Sequence, residues 1–316
     1  MRASTVQPRA VEWFWFPYFP YGKISLVAGQ MGQAKSLLTG LIAARSQGGV
    51  IMLSAEDDPA DTIRPRLEAA RANLDRVEIF TDPTLNTVEL HKVCDDLGDV
   101  ELITVDPISA YMPAGVNSWK GQDVRLALEP IRQLAADRRI AVVLIQHINR
   151  RSDGDPLSRI ADSQGIPQLA RSVMIWGPDP ADPDGDRGRK KVLTRVKGNL
   201  APNDGISATF TIVERDVTGG IRAPALAQGE DTHVTADDVI ADQETRSARD
   251  EACDWLLATL VDGPGRLQGL ASEGARRRHR REDVATRRQD HPRRHRAAPR
   301  GRQHRRLELV TTDIYQ

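Results

Sequence analysis

The sequence predicts an α/β protein built on a mainly parallel sheet covered by helices on both faces. Three observations predict it. Short, strongly apolar runs recur along residues 23–176, as expected for strands buried on both faces. Amphipathic, helix-length runs separate them, which is the alternation of a βαβ sheet. A glycine-bearing loop joins the first apolar run directly to a helical one.

Taken in order, the segment Val11-Glu-Trp-Phe-Trp-Phe-Pro-Tyr-Phe-Pro-Tyr holds much of the aromatic content and reads as an ordered lead-in that packs on the core. Lys23-Ile-Ser-Leu-Val-Ala is a strand, and Ser36-Leu-Leu-Thr-Gly-Leu-Ile-Ala-Ala is helical. A strand at 50–54, a helix over 59–73 with Pro59 in its first turn, and a strand at 77–80 follow. A helix over 86–97, a strand ending at Asp106, a helix over 123–138 and a very apolar strand at 140–146 complete the alternation. Residues 149–170 are polar and read as a long surface loop with a short helical piece. A strand at 171–176, a Pro/Asp/Gly linker at 178–186 and two strands at 192–197 and 208–213 finish the sheet, with scope for an antiparallel edge. Residues 225–235 resemble a linker, and 236–261 a helical start of a small second module. The resulting division is an ATPase-sized domain over 1–224, a linker and incomplete helical C-terminal region over 225–262, and an Arg-rich tail over 263–316.

Composition narrows the class. The 316 residues are 40% hydrophobic and 28% charged, which excludes a disordered or fibrous chain. No run approaches the ~18 consecutive apolar residues of a membrane helix, and no apolar signal core precedes Trp13, so the expected location is cytoplasmic. The two cysteines, Cys94 and Cys253, lack the spacing of a zinc site or a disulfide framework. The net charge of zero hides an uneven distribution. From Pro264 onward there are 15 Arg, no Lys and 6 acids, leaving the body acidic. Runs such as Arg276-Arg-Arg-His-Arg-Arg cannot bury a core. Three readings of this tail stay open: a basic nucleic-acid-binding arm, a plain disordered tail, or out-of-frame translation of a GC-rich gene.

The chemistry concentrates in three places. Gly29-Gln-Met-Gly-Gln-Ala-Lys-Ser follows a strand and opens a helix, the setting of a phosphate-binding P-loop. Backbone N–H groups of Gly29, Gln30, Met31, Gly32, Gln33, Ala34, Lys35, Ser36 and Leu37 would cradle phosphates, Lys35 would reach the β- and γ-oxygens of ATP, and Ser36 would ligate Mg²⁺. Ala34 departs from the pattern, which has glycine there. A helical backbone would tolerate the methyl group; a positive φ would weaken the loop. Asp106 ends a buried strand, where ligands of parallel sheets collect and an acid can hold the Mg²⁺ shell. Glu56, followed by Asp57 and Asp58, is the candidate base for an attacking water. The alternative is that all three acids only favour the start of the next helix.

Together these segments, with Ser54-Ala-Glu-Asp-Asp-Pro, Ile103-Thr-Val-Asp-Pro-Ile-Ser-Ala-Tyr and Val143-Leu-Ile-Gln-His-Ile-Asn-Arg, resemble the RepA-like AAA ATPases of the RecA/DnaB type over about residues 11–215. The resemblance implies a RecA-like P-loop NTPase fold. It further implies ring-forming homo-oligomers, possession of ATP and Mg²⁺ as cofactors, and ATP-driven movement on single-stranded DNA, as in plasmid and phage replicative helicases. In its terms Lys35 and Ser36 match the phosphate and magnesium residues, Glu56 the catalytic glutamate, Asp106 the second magnesium acid, and His147 the polar sensor of the γ-phosphate. Arg171 resembles an arginine that reaches a neighbouring subunit's nucleotide, with Lys197 a second cation in that role. Arg150, Arg151 and Arg159 would face a channel. Bland alternatives are a strand-end histidine, surface ion pairs and a solvated loop. Residues from Glu251 resemble only the opening of a winged-helix-like module, and the likeness stops after Gly263. Two other classes remain beside the motor: an ATP-dependent oligomeric switch, and a degenerate nucleotide-binding protein.

Overall fold

The structure, a computed structural model, describes residues 1–241 except 85, 114, 117–120, 149–155, 158, 161–164 and 203. Arg150, Arg151, Cys253, the winged-helix-like opening and the Arg-rich tail lie outside the described residues.

Strands β1 (Trp13–Trp15) and β2 (Phe19–Pro20) form a small antiparallel hairpin. The main sheet then begins with β3 (Ile24–Gly29), followed by α1 (Lys35–Arg45) and β4 (Gly49–Ser54). A π-helical turn, Pro59–Ile63, leads into α2 (Arg64–Ala70) and β5 (Val77–Phe80). Next come α3 (Thr87–Leu97), β6 (Val100–Asp106), α4 (Gly121–Arg138) and β7 (Ala141–His147). The chain continues through α5 (Gly165–Leu169), β8 (Ser172–Pro178), β9 (Lys190–Gly198), β10 (Ser207–Val217) and β11 (Ile221–Thr232).

The nine-stranded sheet has the order β11-β10-β9-β8-β3-β7-β6-β4-β5. From β8 to β5 all neighbours are parallel, and β9, β10 and β11 extend the sheet antiparallel. The alternation of side chains along each strand splits the core in two. Leu26 of β3 and Val142 and Leu144 of β7 face a cluster with Leu90 and Cys94 of α3 and Val124, Leu128 and Ile131 of α4. Val27, Val143 and Ile145 face the other way, onto Leu37, Leu38 and Ile42 of α1, Leu67 of α2 and the aromatic hairpin. Both faces of the strands are therefore buried, which is why their sequences read as continuous apolar runs.

The aromatic lead-in packs as expected. Trp15 meets Tyr18, Phe19 and Phe210 edge-on, and the Arg45 guanidinium lies 3.9 Å from the Trp15 ring centroid.

Three expectations are corrected. The helix placed over 59–73 is split: it opens as a π-helical turn capped by Asp58, whose Oδ1 accepts from the N–H groups of Ala60 and Asp61, and it stops at Ala70 because Arg71 turns left-handed at φ 67°. Residues 149–170 are not wholly surface, since Ile160, Ile166 and Ala170 are buried in the first core cluster. Residues 225–232 are no linker but the second half of β11, which pairs with β10 in register Ile212↔Leu226. The expected helix start at 236 is present: residues 236–241 are helical, and Thr235 and Asp238 cap each other reciprocally. Among the described residues no helix is long and apolar enough to cross a membrane.

Leu226 tests the inclusion of β11 in the body, because it is 2% exposed and belongs to the second core cluster. Leu226→Ala should destabilise the protein by roughly 2–5 kcal/mol, read as a lower urea midpoint. A linker residue would leave the midpoint where it was.

Candidate functional site

The site forms where β3 hands the chain to α1. β3 lies between β7 and β8, and Gly29 at its end has no room for a side chain: a Cβ there would sit 2.4 Å from the Trp176 carbonyl oxygen. The loop over 30–34 then reverses, with Gly32 at φ +77°. Ala34, at φ 58° and ψ 37°, is left-handed. The sequence left the backbone at Ala34 open; the structure places it in the region that favours glycine. No side chain caps α1 and its first turn carries no acid, so its leading N–H groups are left without a side-chain acceptor of their own turn.

Lys35 is buried and turned back over this loop. Its Nζ donates to the carbonyls of Gly29 at 3.0 Å and Gln30 at 2.7 Å, and to His147 Nδ1 at 3.1 Å. A lysine ammonium can only donate, so the neutral His147 ring accepts through Nδ1. Desolvation lowers the Lys35 pKa to about 8 despite the pull of Asp106 and Glu56. Desolvation, then the Lys35 charge, pushes His147 below the usual histidine range. Asp106, at the end of β6, is raised to about 6 by desolvation, with Lys35 acting against it.

Lys35, Ser36, Glu56, Asp106 and His147 line one open pocket of about 370 Å³, with Met31, Gly32 and Ala34 of the loop. The other loop residues act through their backbone or the core. Gln30 and Gln33 are buried, the Gln33 carbonyl accepts from Trp176 Nε1 at 2.6 Å, and its Oε1 accepts from Lys191 at 2.9 Å. Leu37 packs in the second core cluster. The acidic run divides its work: Asp58 caps the helix, Asp57 lies 2.9 Å from Arg66, and Glu56 is exposed at the pocket.

Arg171 is not brought to this pocket. It precedes β8, five residues before Trp176, and so lies roughly 17 Å away along the strand. There it lines a separate cationic cleft with Lys23, Arg125 and Arg132. Lys197 is beside it and donates to the Pro167 and Ala170 carbonyls, at 2.7 and 3.2 Å.

Two residues at the site escape a linear reading. Trp176 braces the loop from β8, and its only sequence signal is an indole N–H in a buried strand that needs an acceptor. Arg66 lines the pocket from α2 and touches Ser36; its signal is a cation one helical turn into an element that follows an acidic strand end.

The profile of the AAA domain family matches residues 1–153, which include β3, the loop, Glu56, Asp106 and His147. In that stretch β3 is central in a mainly parallel, helix-covered sheet. A search of curated proteins finds no match. Among solved structures, the chain is similar to the ATPase domain of G40P, at 14% identity and a TM-score of 0.48, covering 60% of this chain and 81% of that one. It is also similar to a DnaB-like replicative helicase described with its interactions with primase, at 13% identity and a TM-score of 0.49, covering 61% of this chain. The chain spans a little over half of that helicase, 57%.

The left-handed backbone at Ala34 can be relieved by glycine. Ala34→Gly should stabilise the fold by roughly 0.5–1 kcal/mol, because a left-handed L-residue costs roughly 1–2 kcal/mol and the freer unfolded chain returns roughly 0.4–1 kcal/mol of that. Thermal unfolding of the two proteins measures it, and an unchanged or lower midpoint would remove strain from the account of this loop.

Proposed function

We propose that the chain binds and hydrolyses ATP as a RecA-like ATPase, and that it works as a replicative-helicase-like or recombination-type motor on DNA of a plasmid, phage or other mobile element. The observation that carries the ATPase reading is the convergence of Lys35, Ser36, Glu56, Asp106 and His147 on one pocket from α1 and the ends of β4, β6 and β7. The helix N-terminus and the Lys35 ammonium attract the triphosphate. The donors also fit Mg²⁺, which prefers hard oxygen ligands: the Ser36 hydroxyl and the Asp106 carboxylate. Desolvation raises the Asp106 carboxyl to about 6, and a carboxylate destabilised in this way is one that a divalent cation would stabilise. When bound, the metal would neutralise charge developing on the phosphates.

Each protein group then has a task. Glu56, exposed at the pocket mouth, orients and deprotonates the attacking water. Lys35 exchanges its loop carbonyls for phosphate oxygens, which alters the surroundings of the His147 ring it now touches, so His147 can sense the γ-phosphate. Arg171 is too far away to serve its own pocket. Its reading as a finger therefore requires a second copy, and with it a homo-oligomeric ring in which the charge arrives only on assembly. Lys197, committed to two carbonyls next to Arg171, supports that edge. Single-stranded DNA is the proposed track, contacted by the segment between β7 and α5 that includes Arg159. Residues 242–262 are proposed as the start of a winged-helix-like module, and 263–316 as the Arg-rich tail. The back-folded Lys35 favours a second reading, in which nucleotide binding alone switches the assembly.

Steady-state ATP hydrolysis with and without single-stranded DNA decides between them. Lys35→Ala should lose phosphate binding and turnover together. Glu56→Gln should retain nucleotide binding while turnover falls by roughly 10²–10⁴. Tight ATP binding with no turnover by the unaltered protein would sink the motor and leave the switch.

A further inference from the structure

Arg66 stands where no sequence motif places a functional residue. It lies in α2, whose buried face is formed by Pro65, Leu67 and Ala69, and its side chain is 28% exposed. Its Nη1 donates to Ser36 Oγ at 2.9 Å and lies 2.9 Å from Asp57 Oδ2. The Arg66 charge also reaches Asp106, whose carboxyl it draws down. A single guanidinium nitrogen thus bridges the hydroxyl assigned to magnesium and one of the acids beside it, at the edge of the nucleotide pocket.

Two cations cannot share this oxygen on equal terms. Magnesium binds oxygen at about 2.0–2.1 Å and requires near-octahedral surroundings. A guanidinium nitrogen within hydrogen-bond reach of the same oxygen would crowd that shell and repel the ion through a short, poorly screened distance. Asp57 holds the guanidinium in place, and the bond is charge-assisted, which makes it strong enough to matter. The side chain remains partly exposed, so it has somewhere to go.

We propose that Arg66 is a resident cation at the magnesium position: held by Asp57, it competes with Mg²⁺ for Ser36 and swings off that hydroxyl when the metal-nucleotide complex seats. The proposal rests on the ATPase reading above and adds a threshold to it. Magnesium has to displace an internal charge before the pocket is complete, so half-saturation needs more Mg²⁺ than the pocket's oxygens alone would require.

The test is equilibrium binding of a fluorescent ADP to the full chain while Mg²⁺ is titrated against a chelator, with folding checked by circular dichroism. Arg66→Gln, which removes the charge, should lower the half-saturating Mg²⁺ by roughly three- to tenfold, the scale of one hydrogen bond's net contribution. Arg66→Lys keeps a cation and should stay within about twofold of the unaltered protein. A Gln curve that superimposes on the unaltered one overturns the proposal, as does a Lys curve displaced as far as the Gln curve. If the unaltered protein fails to bind the ADP at saturating Mg²⁺, the nucleotide reading falls and takes this one with it.

Discussion

The pocket depends on one steric constraint, the contact between Gly29 and the backbone of β8. With no side chain at Gly29, the Trp176 carbonyl closes to within 2.4 Å of the position a Cβ would take. β3 is thereby held between two parallel neighbours up to its last residue, and the loop leaves the sheet from a rigid edge. Trp176 then uses its indole N–H to fasten the Gln33 carbonyl, so the same residue anchors both ends of the turn. The direction of α1, the position of Lys35 and the line of amides at the helix start all follow from that anchorage.

Against this frame the electrostatics are deliberately unbalanced. Lys35 is desolvated and satisfied by neutral carbonyls and a neutral imidazole, while Asp106, which lines the same pocket, is desolvated too. Neither charge is fully compensated by its surroundings. The proposed polyanion with its divalent cation would supply what both lack, and buried groups left in this condition are characteristic of sites rather than of cores.

What could be read from the sequence was local. The strand, loop and helix around Gly29–Ser36 are contiguous, and the apolar strands announce themselves because both faces are buried. Asp106 and His147 were legible because each closes such a run. The acids at 56–58 were legible as a group but not individually, since only the fold decides that Asp58 caps, Asp57 pairs and Glu56 faces the pocket. Arg66 and Trp176 reach the loop through tertiary contacts, which leave no periodic trace. β11 was missed because Pro224 and Gly229 weaken a strand reading, and both are tolerated on a strand that has a neighbour on one side only.

That last feature has a consequence for association. β11 is the outer strand on its side of the described sheet, and it carries Pro224, which has no N–H to offer, and a charged end at Glu230 and Asp231. A further strand laid along it would meet a missing donor and like charges, the devices by which natural sheets refuse continuation. Growth of the sheet from one molecule into the next is therefore disfavoured along this border, and copies that associate along it must meet through side-chain surfaces, where contacts can break and re-form without tearing a backbone ladder.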